Sequence, residues 1–184
     1  MSKIGAKPIL LKQGVSISTA DNKVVVKGPL GEIQLALPEG LAVLVKDDKV
    51  TVKKLKDDDQ TSASHGTLAR LINNAVVGTT TGFEKVLEIF GMGFRGQKDG
   101  ETLVLSLGFS HPVRFTPPEG IKIEVVENKI KILGIDKEKV GIVADQIRKI
   151  KMPDAYKGKG IREFGRKLRL KPGKMAAKVT GAGK

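Results

Sequence analysis

Lysine and glycine alternate in one stretch of this chain, and that alternation suits contact with a polyanion. The stretch is Lys151-Met152-Pro153-Asp154-Ala155-Tyr156-Lys157-Gly158-Lys159-Gly160-Ile161-Arg162, followed by Arg166-Lys167-Leu168-Arg169-Leu170-Lys171 and then Lys174. Gly158 and Gly160 place no side chain between a backbone N–H and an approaching phosphate, while the ammonium groups of Lys157 and Lys159 flank them. Arg162, Arg166, Lys167, Arg169, Lys171 and Lys174 extend the charge, so the segment is expected to neutralise a nucleic-acid backbone. Tyr156, the single tyrosine, either stacks on an unpaired base or packs on its own domain. The bland alternative for the run is a solvated basic tail.

Other candidate chemistry is weaker. Gly91-Met92-Gly93-Phe94-Arg95-Gly96 spells G-x-G-x-x-G, but a dinucleotide site needs a helix to open there, with its N-terminus facing the pyrophosphate. Here Gln97-Lys98-Asp99-Gly100 reads as a hairpin turn into a strand at Leu103, so a bulged hairpin is the better reading, with Arg95 and Lys98 at its tip free to meet phosphate. The two histidines, His65 and His111, lack the spacing of a metal pair. His65 falls at the edge of a helical apolar face and reads as structural; His111, in Phe109-Ser110-His111-Pro112, is an exposed turn residue suited equally to an RNA contact or to the turn. Carboxylates arrive in turns (Asp47-Asp48, Asp57-Asp58-Asp59) or alternate with lysine, and none pairs in an apolar setting as general acid–base work requires. No G-x-S-x-G or Walker sequence occurs. The residues therefore imply no catalytic site, no metal and no cofactor.

The elements that must hold these residues repeat. Val24-Val25-Val26-Lys27, Ile33 to Leu37, Leu41 to Val45 and Val50-Thr51-Val52 alternate with period two, as half-buried antiparallel strands do. Gly28-Pro29-Leu30-Gly31, Pro38-Glu39-Gly40 and Asp47-Asp48 supply the turns. Leu68, Leu71, Ile72, Ala75 and Val76 then mark one face of a helix expected to end at Gly78. After a threonine linker at 79–81, Phe83 to Phe90 reads as a strand opening a second set: Leu103 to Leu107, Val113 to Phe115, Ile121 to Val126, Ile130 to Ile132. A helix follows, with Val140, Val143, Ala144, Ile147 and Ile150 on one face and Asp136 as N-cap. Pro38-Glu39-Gly40 before Leu41 matches Pro118-Glu119-Gly120 before Ile121, which points to gene duplication. The expected architecture is α+β: two duplicated domains, each a small, mainly antiparallel sheet unit with one helix, spanning residues 1–82 and 83–152, then a basic C-terminal segment, 153–184.

Composition agrees. Of the +13 net charge, residues 1–82 hold +3, residues 83–150 hold +1 and residues 151–184 hold +9. Such an excess attracts polyanions, and its placement makes the C-terminal segment the electrostatic organ. There is no cysteine, which excludes thiol chemistry and thiolate metal sites and fits a reducing, cytoplasmic setting. No run approaches the ~20 apolar residues that cross a bilayer, and Ile9-Leu10-Leu11 is too short for a signal-peptide core. A membrane partner is not expected.

Pro153-Asp154-Ala155-Tyr156-Lys157-Gly158-Lys159-Gly160-Ile161 resembles the signature of the bacterial L-six family of large-subunit ribosomal proteins. The resemblance extends through Ser2-Lys3-Ile4-Gly5, Val26-Lys27-Gly28-Pro29-Leu30-Gly31-Glu32, His65-Gly66-Thr67, Gly91-Met92-Gly93-Phe94-Arg95 and Leu107-Gly108-Phe109-Ser110-His111-Pro112-Val113. It is least close beyond Arg166. It implies a structural, non-enzymatic protein of two duplicated domains in the cytoplasmic ribosome. Its implied partners are large-subunit ribosomal RNA near the sarcin–ricin region and neighbouring ribosomal proteins, close to where translational GTPases dock. A DNA-binding architectural protein is the alternative, but it would need a helix or ribbon with a basic face for the major groove.

Overall fold

The computed structural model describes residues 4–20, 22–46, 49–56 and 58–173. In the first half, β1 (Ile9–Leu10), β6 (Lys49–Lys54) and β5 (Leu41–Lys46) form one antiparallel sheet, and β2 (Ser16–Ala20), β3 (Lys23–Gly28) and β4 (Gly31–Ala36) a second. Helix α1 (Asp59–Thr80) packs on both, against β3, β4 and β6. The second half repeats the plan. β7 (Phe83–Phe90), β12 (Lys129–Gly134) and β11 (Ile121–Val126) form one sheet; β8 (Arg95–Asp99), β9 (Thr102–Ser106) and β10 (Val113–Phe115) form another; α2 (Lys137–Ile150) packs on the first. The aspartates 47, 48 and 57, expected in turns, lie outside the described residues, as do Ser2 and Lys3.

Alternation decides the burial. Val50 and Val52 point under α1 while Lys49 and Lys53 face solvent, and Ile130 and Ile132 do the same in the second unit. The duplication extends to register: Val43 faces Val52 and Val45 faces Val50, as Ile123 faces Ile132 and Val125 faces Ile130. Gly40 and Gly120 close the two Pro-Glu-Gly turns in the same left-handed conformation, φ 81 and 85°, which a side chain would strain. Asp136 caps α2 as expected, its carboxylate accepting from the Glu138 N–H at 2.9 Å. Two separate cores result, one around Val24, Leu68 and Ile72, the other around Leu87, Leu105 and Ile147.

Four expectations need correction. Gly78 does not end α1: the helix runs to Thr80, and Gly82, at φ 72°, ends it by donating its N–H to the Gly78 carbonyl at 3.1 Å. Thr79 and Thr80 are its last turn, not a linker, because their hydroxyls bond back to the carbonyls of Ala75, Val76 and Val77. Leu71 sits at the edge of the apolar face and is exposed. The chain after residue 152 is not a separate tail at its start. Gly160–Glu163 forms a strand, β13, antiparallel to β7, and Ile161 is fully buried in the second core.

The first unit meets the second at Gly78. A Cβ there would collide with the carbonyl of Ile135, in the β12–α2 connection, and would lie 3.0 Å from the Phe83 ring; one on Gly31 would lie 2.9 Å from Ile135 Cδ1. Because each unit has its own core, a chain of residues 83–184 should fold alone. Urea titration followed by circular dichroism should give one cooperative transition; a gradual, non-cooperative loss of signal would show that the second core depends on the first.

Candidate nucleic-acid interface

The lysine–glycine run is a closed loop. Ile161 N–H donates to the Lys151 carbonyl at 2.8 Å, Asp154 N–H to the Lys159 carbonyl at 3.0 Å, and Gly158 N–H to the Asp154 carbonyl at 2.9 Å. The Asp154 carboxylate adds a fourth bond, accepting from Lys157 N–H at 2.9 Å. The chain returns after β13, and Lys171 N–H reaches the Ala155 carbonyl at 2.8 Å. Leu168 and Leu170 then lie against Gly158. Asp154, the one acid in the loop, is thus occupied with shaping it, and the lysines around it face outward.

This geometry revises the role of the glycines. Gly158 and Gly160 are buried, so neither offers its backbone to a phosphate chain. Both have positive φ, 69 and 149°, and a Cβ on Gly160 would come within 2.6 Å of the Met152 carbonyl oxygen and 2.7 Å of Pro153. They are glycines because the loop must turn tightly onto β7. Arg162 is also engaged: its Nε donates to Glu88 at 2.9 Å and its guanidinium lies 4.8 Å from the Phe90 ring centre. It ties β13 to β7. Glu163 pairs with Lys85 at 3.0 Å, and that hydrogen-bonded ammonium holds its carboxyl below the usual glutamate range.

The outward groups are Lys157, Arg166, Lys167, Arg169 and Lys171, all exposed, with Lys159 half-buried. Arg166 keeps a loose pairing with Glu163 at 3.7 Å. Lys174 lies outside the described residues. Tyr156 is 58% exposed, which removes the reading that it packs on its own domain and leaves its ring available.

Two further loops share this end of the second unit. Phe94 fills the space beside both Gly91 and Gly108, joining the glycine-rich turn to the Leu107–Val113 connection. Lys151 Nζ lies 4.6 Å from the centre of the Phe109 ring. Arg95, at the start of β8, and His111, beside Ser110, are therefore exposed around the same end. Lys98 is not. The hairpin turn is Gly100-Glu101, so Lys98 lies further along β8, lining a groove of about 1010 Å³ at the junction of the units with Leu30, Phe83 and Pro118. The structure also adds residues the sequence reading missed. Met92 is 89% exposed and Met152, Phe109 and Phe90 are each more than 40% exposed. For Met92, Phe109 and Met152 the signal was an apolar residue within a turn-rich stretch, which periodicity does not weigh, whereas Phe90 is the last residue of β7. Cations interleaved with exposed aromatic rings suit phosphates beside unpaired bases. His65, by contrast, is 4% exposed and donates Nε2–H to the Val52 carbonyl at 2.9 Å, a structural role.

Comparison with known proteins places both halves in one family. The family model described as Ribosomal protein L6 matches residues 12–82 and again residues 90–164. The large ribosomal subunit protein uL6 of Thermoanaerobacter sp. (strain X514) is 49% identical over 181 residues, spanning 97% of this chain and 100% of that protein. Its counterpart in Syntrophomonas wolfei is 48% identical over 179 residues, with coverage of 97% and 100%. That of Shouchella clausii is 44% identical over 175 residues, with coverage of 95% and 98%.

The loop geometry separates the outward cations, which are candidates for RNA contact, from scaffold residues. Lys157→Ala and Arg166→Ala should each flatten the dependence of log K on log salt by about one unit, with melting temperature unchanged. Gly160→Val should instead lower stability by about 2–4 kcal/mol in urea titration. Fluorescence anisotropy against RNA over a salt series, beside the titration, would refute this division if Gly160→Val left stability intact. The Lys85–Glu163 pair adds a pH signature. With the folded pKa depressed, its contribution is present above the ordinary glutamate range and lost as pH falls through the lowered value. The protection of the Ile161 amide, taken relative to its intrinsic exchange rate, should therefore fall only as pH drops into the acid range, whereas in Lys85→Gln it should already be reduced at neutral pH and lose less on acidification.

Proposed function

This chain belongs to the ribosomal protein L6 family, and we propose that within the large ribosomal subunit it binds ribosomal RNA through the basic loop and aromatic end of its second unit. It is a structural, non-enzymatic protein of the cytoplasmic ribosome, with neighbouring ribosomal proteins as further partners. Its site is proposed to lie near the sarcin–ricin region, close to where translational GTPases dock. The family resemblance of Pro153 to Ile161 supports that finer placement.

The observation that carries RNA binding is the company the lysines keep. Lys157, Lys167, Arg169 and Lys171 have no carboxylate within ion-pair reach among the described residues. They share one end of the molecule with Tyr156 and Phe109. Charge supplies salt-dependent affinity and the fixed loop supplies shape, the usual division in RNA recognition. The DNA-binding alternative is not favoured, since α1 carries one arginine, Arg70, and no lysine. α2 intersperses four basic residues with Glu138 and Asp145, and Asp145 engages both Arg148 and Lys149.

A tagged chain run on sucrose gradients should sediment with large subunits. Ending the chain after Gly165 keeps β13 but removes Arg166, Lys167, Arg169 and Lys171, and should flatten the salt slope by about 3 units or more. Free sedimentation of the intact chain would sink the proposal.

A further inference from the structure

We infer that the outer face of the β1-β6-β5 sheet is a second contact with the phosphate backbone of ribosomal RNA, made through Lys46, Lys49 and Lys53. The inference rests on the reading that the chain binds RNA, but it concerns the first unit, whose net charge is small.

Lys49 and Lys53 alternate with the buried Val50 and Val52, so both stand on the side of β6 turned away from α1. They are separated along the strand by about 13 Å. Across the sheet, Ala42 faces Lys53, Leu44 faces Thr51 and Lys46 faces Lys49, while Leu10 of β1 flanks Lys49 on its other side. None of these outward positions is acidic. All three lysines are exposed and have no ion pair among the described residues. Lys46 and Lys49 are direct cross-strand neighbours, and like charges so placed destabilise a sheet. An anion lying between them would turn that repulsion into attraction.

The duplicate shows that the fold does not require this. At the matching positions of β11 and β12, Glu124 faces Lys131, Lys122 faces Leu133 and Val126 faces Lys129, with Glu84, Val86 and Glu88 of β7 alongside. There the outer face mixes acids with bases. In the first unit the described strand positions of the same face carry bases and no acid. The choice of base points to RNA over a protein partner: the face holds three lysines and no arginine, whereas protein interfaces enrich arginine and deplete lysine. Lysine serves a phosphate row as a simple point charge.

The test uses the full chain carrying K46Q, K49Q and K53Q together, beside K157A/R166A, in anisotropy against large-subunit RNA fragments over a salt series. Glutamine keeps the stems and removes the repulsion, so melting temperature should hold or rise. The triple variant is expected to flatten the salt slope by about 2–3 units, adding to the effect of K157A/R166A. A wild-type slope and affinity in the triple variant, with K157A/R166A still impaired, would overturn the second contact while leaving the first intact. Loss of subunit association on gradients without any change in RNA affinity or slope would assign the face to a protein and overturn it too. Absence of salt-dependent binding by the unaltered chain would remove both.

Discussion

The way the two units of this protein are set against each other depends on how closely two glycines let Ile135 approach. Its carbonyl rests where a side chain on Gly78 would be, and its Cδ1 occupies the space over Gly31. Leu30 N–H donates to the Thr79 carbonyl at 3.0 Å, so the β3–β4 turn is itself fastened to the end of α1. The connection is short: α1 ends at Thr80 and β7 begins at Phe83. With both the covalent link and the packed contact at one place, the outward faces of the two units keep a fixed relation. If both proposed faces meet RNA at once, that fixed relation makes them one multivalent site, with a gain set by geometry more than by any single lysine.

Within the second unit, β13 does for the loop what Ile135 does for the units. The lysines of the run face outward because the residues between them are committed inward: Ile161 to the core, Arg162 to Glu88, Gly158 and Gly160 to tight turns, Asp154 to the loop's own amides. A basic segment without such anchors would lose conformational freedom on binding, a cost that ordering in advance avoids. The molecule places its charge on a preformed loop.

Much of the fold was legible in the sequence because its signals are local. Val50, Val52, Ile130 and Ile132 announce a buried face by alternation alone, and Asp136 stands where an N-cap must. What escaped depends on distant partners. Gly160-Ile161-Arg162-Glu163 has a single aliphatic residue and becomes a strand only because β7 offers an edge; Arg162 meets Glu88, 74 residues away. Gly78 read as a helix stop because a glycine at a helix end usually is one, while its actual reason is a carbonyl from the other unit. For the site, residue type gave the charge and its location, but not which cations are spent on the protein's own carboxylates. Nor did it give the exposed ring of Tyr156.

The order of strands has a consequence for how the chain is made. β7 is both the first strand of the second unit and the one that β13 completes, and the core that Ile161 fills is built mostly from residues that precede it. During synthesis from the N-terminus the first unit can close while the second still lacks its last strand. β7 then has an open edge, a form that invites wrong pairing. That edge is covered only when the basic run itself has emerged, so the newborn protein acquires its basic loop and its protected sheet in the same event.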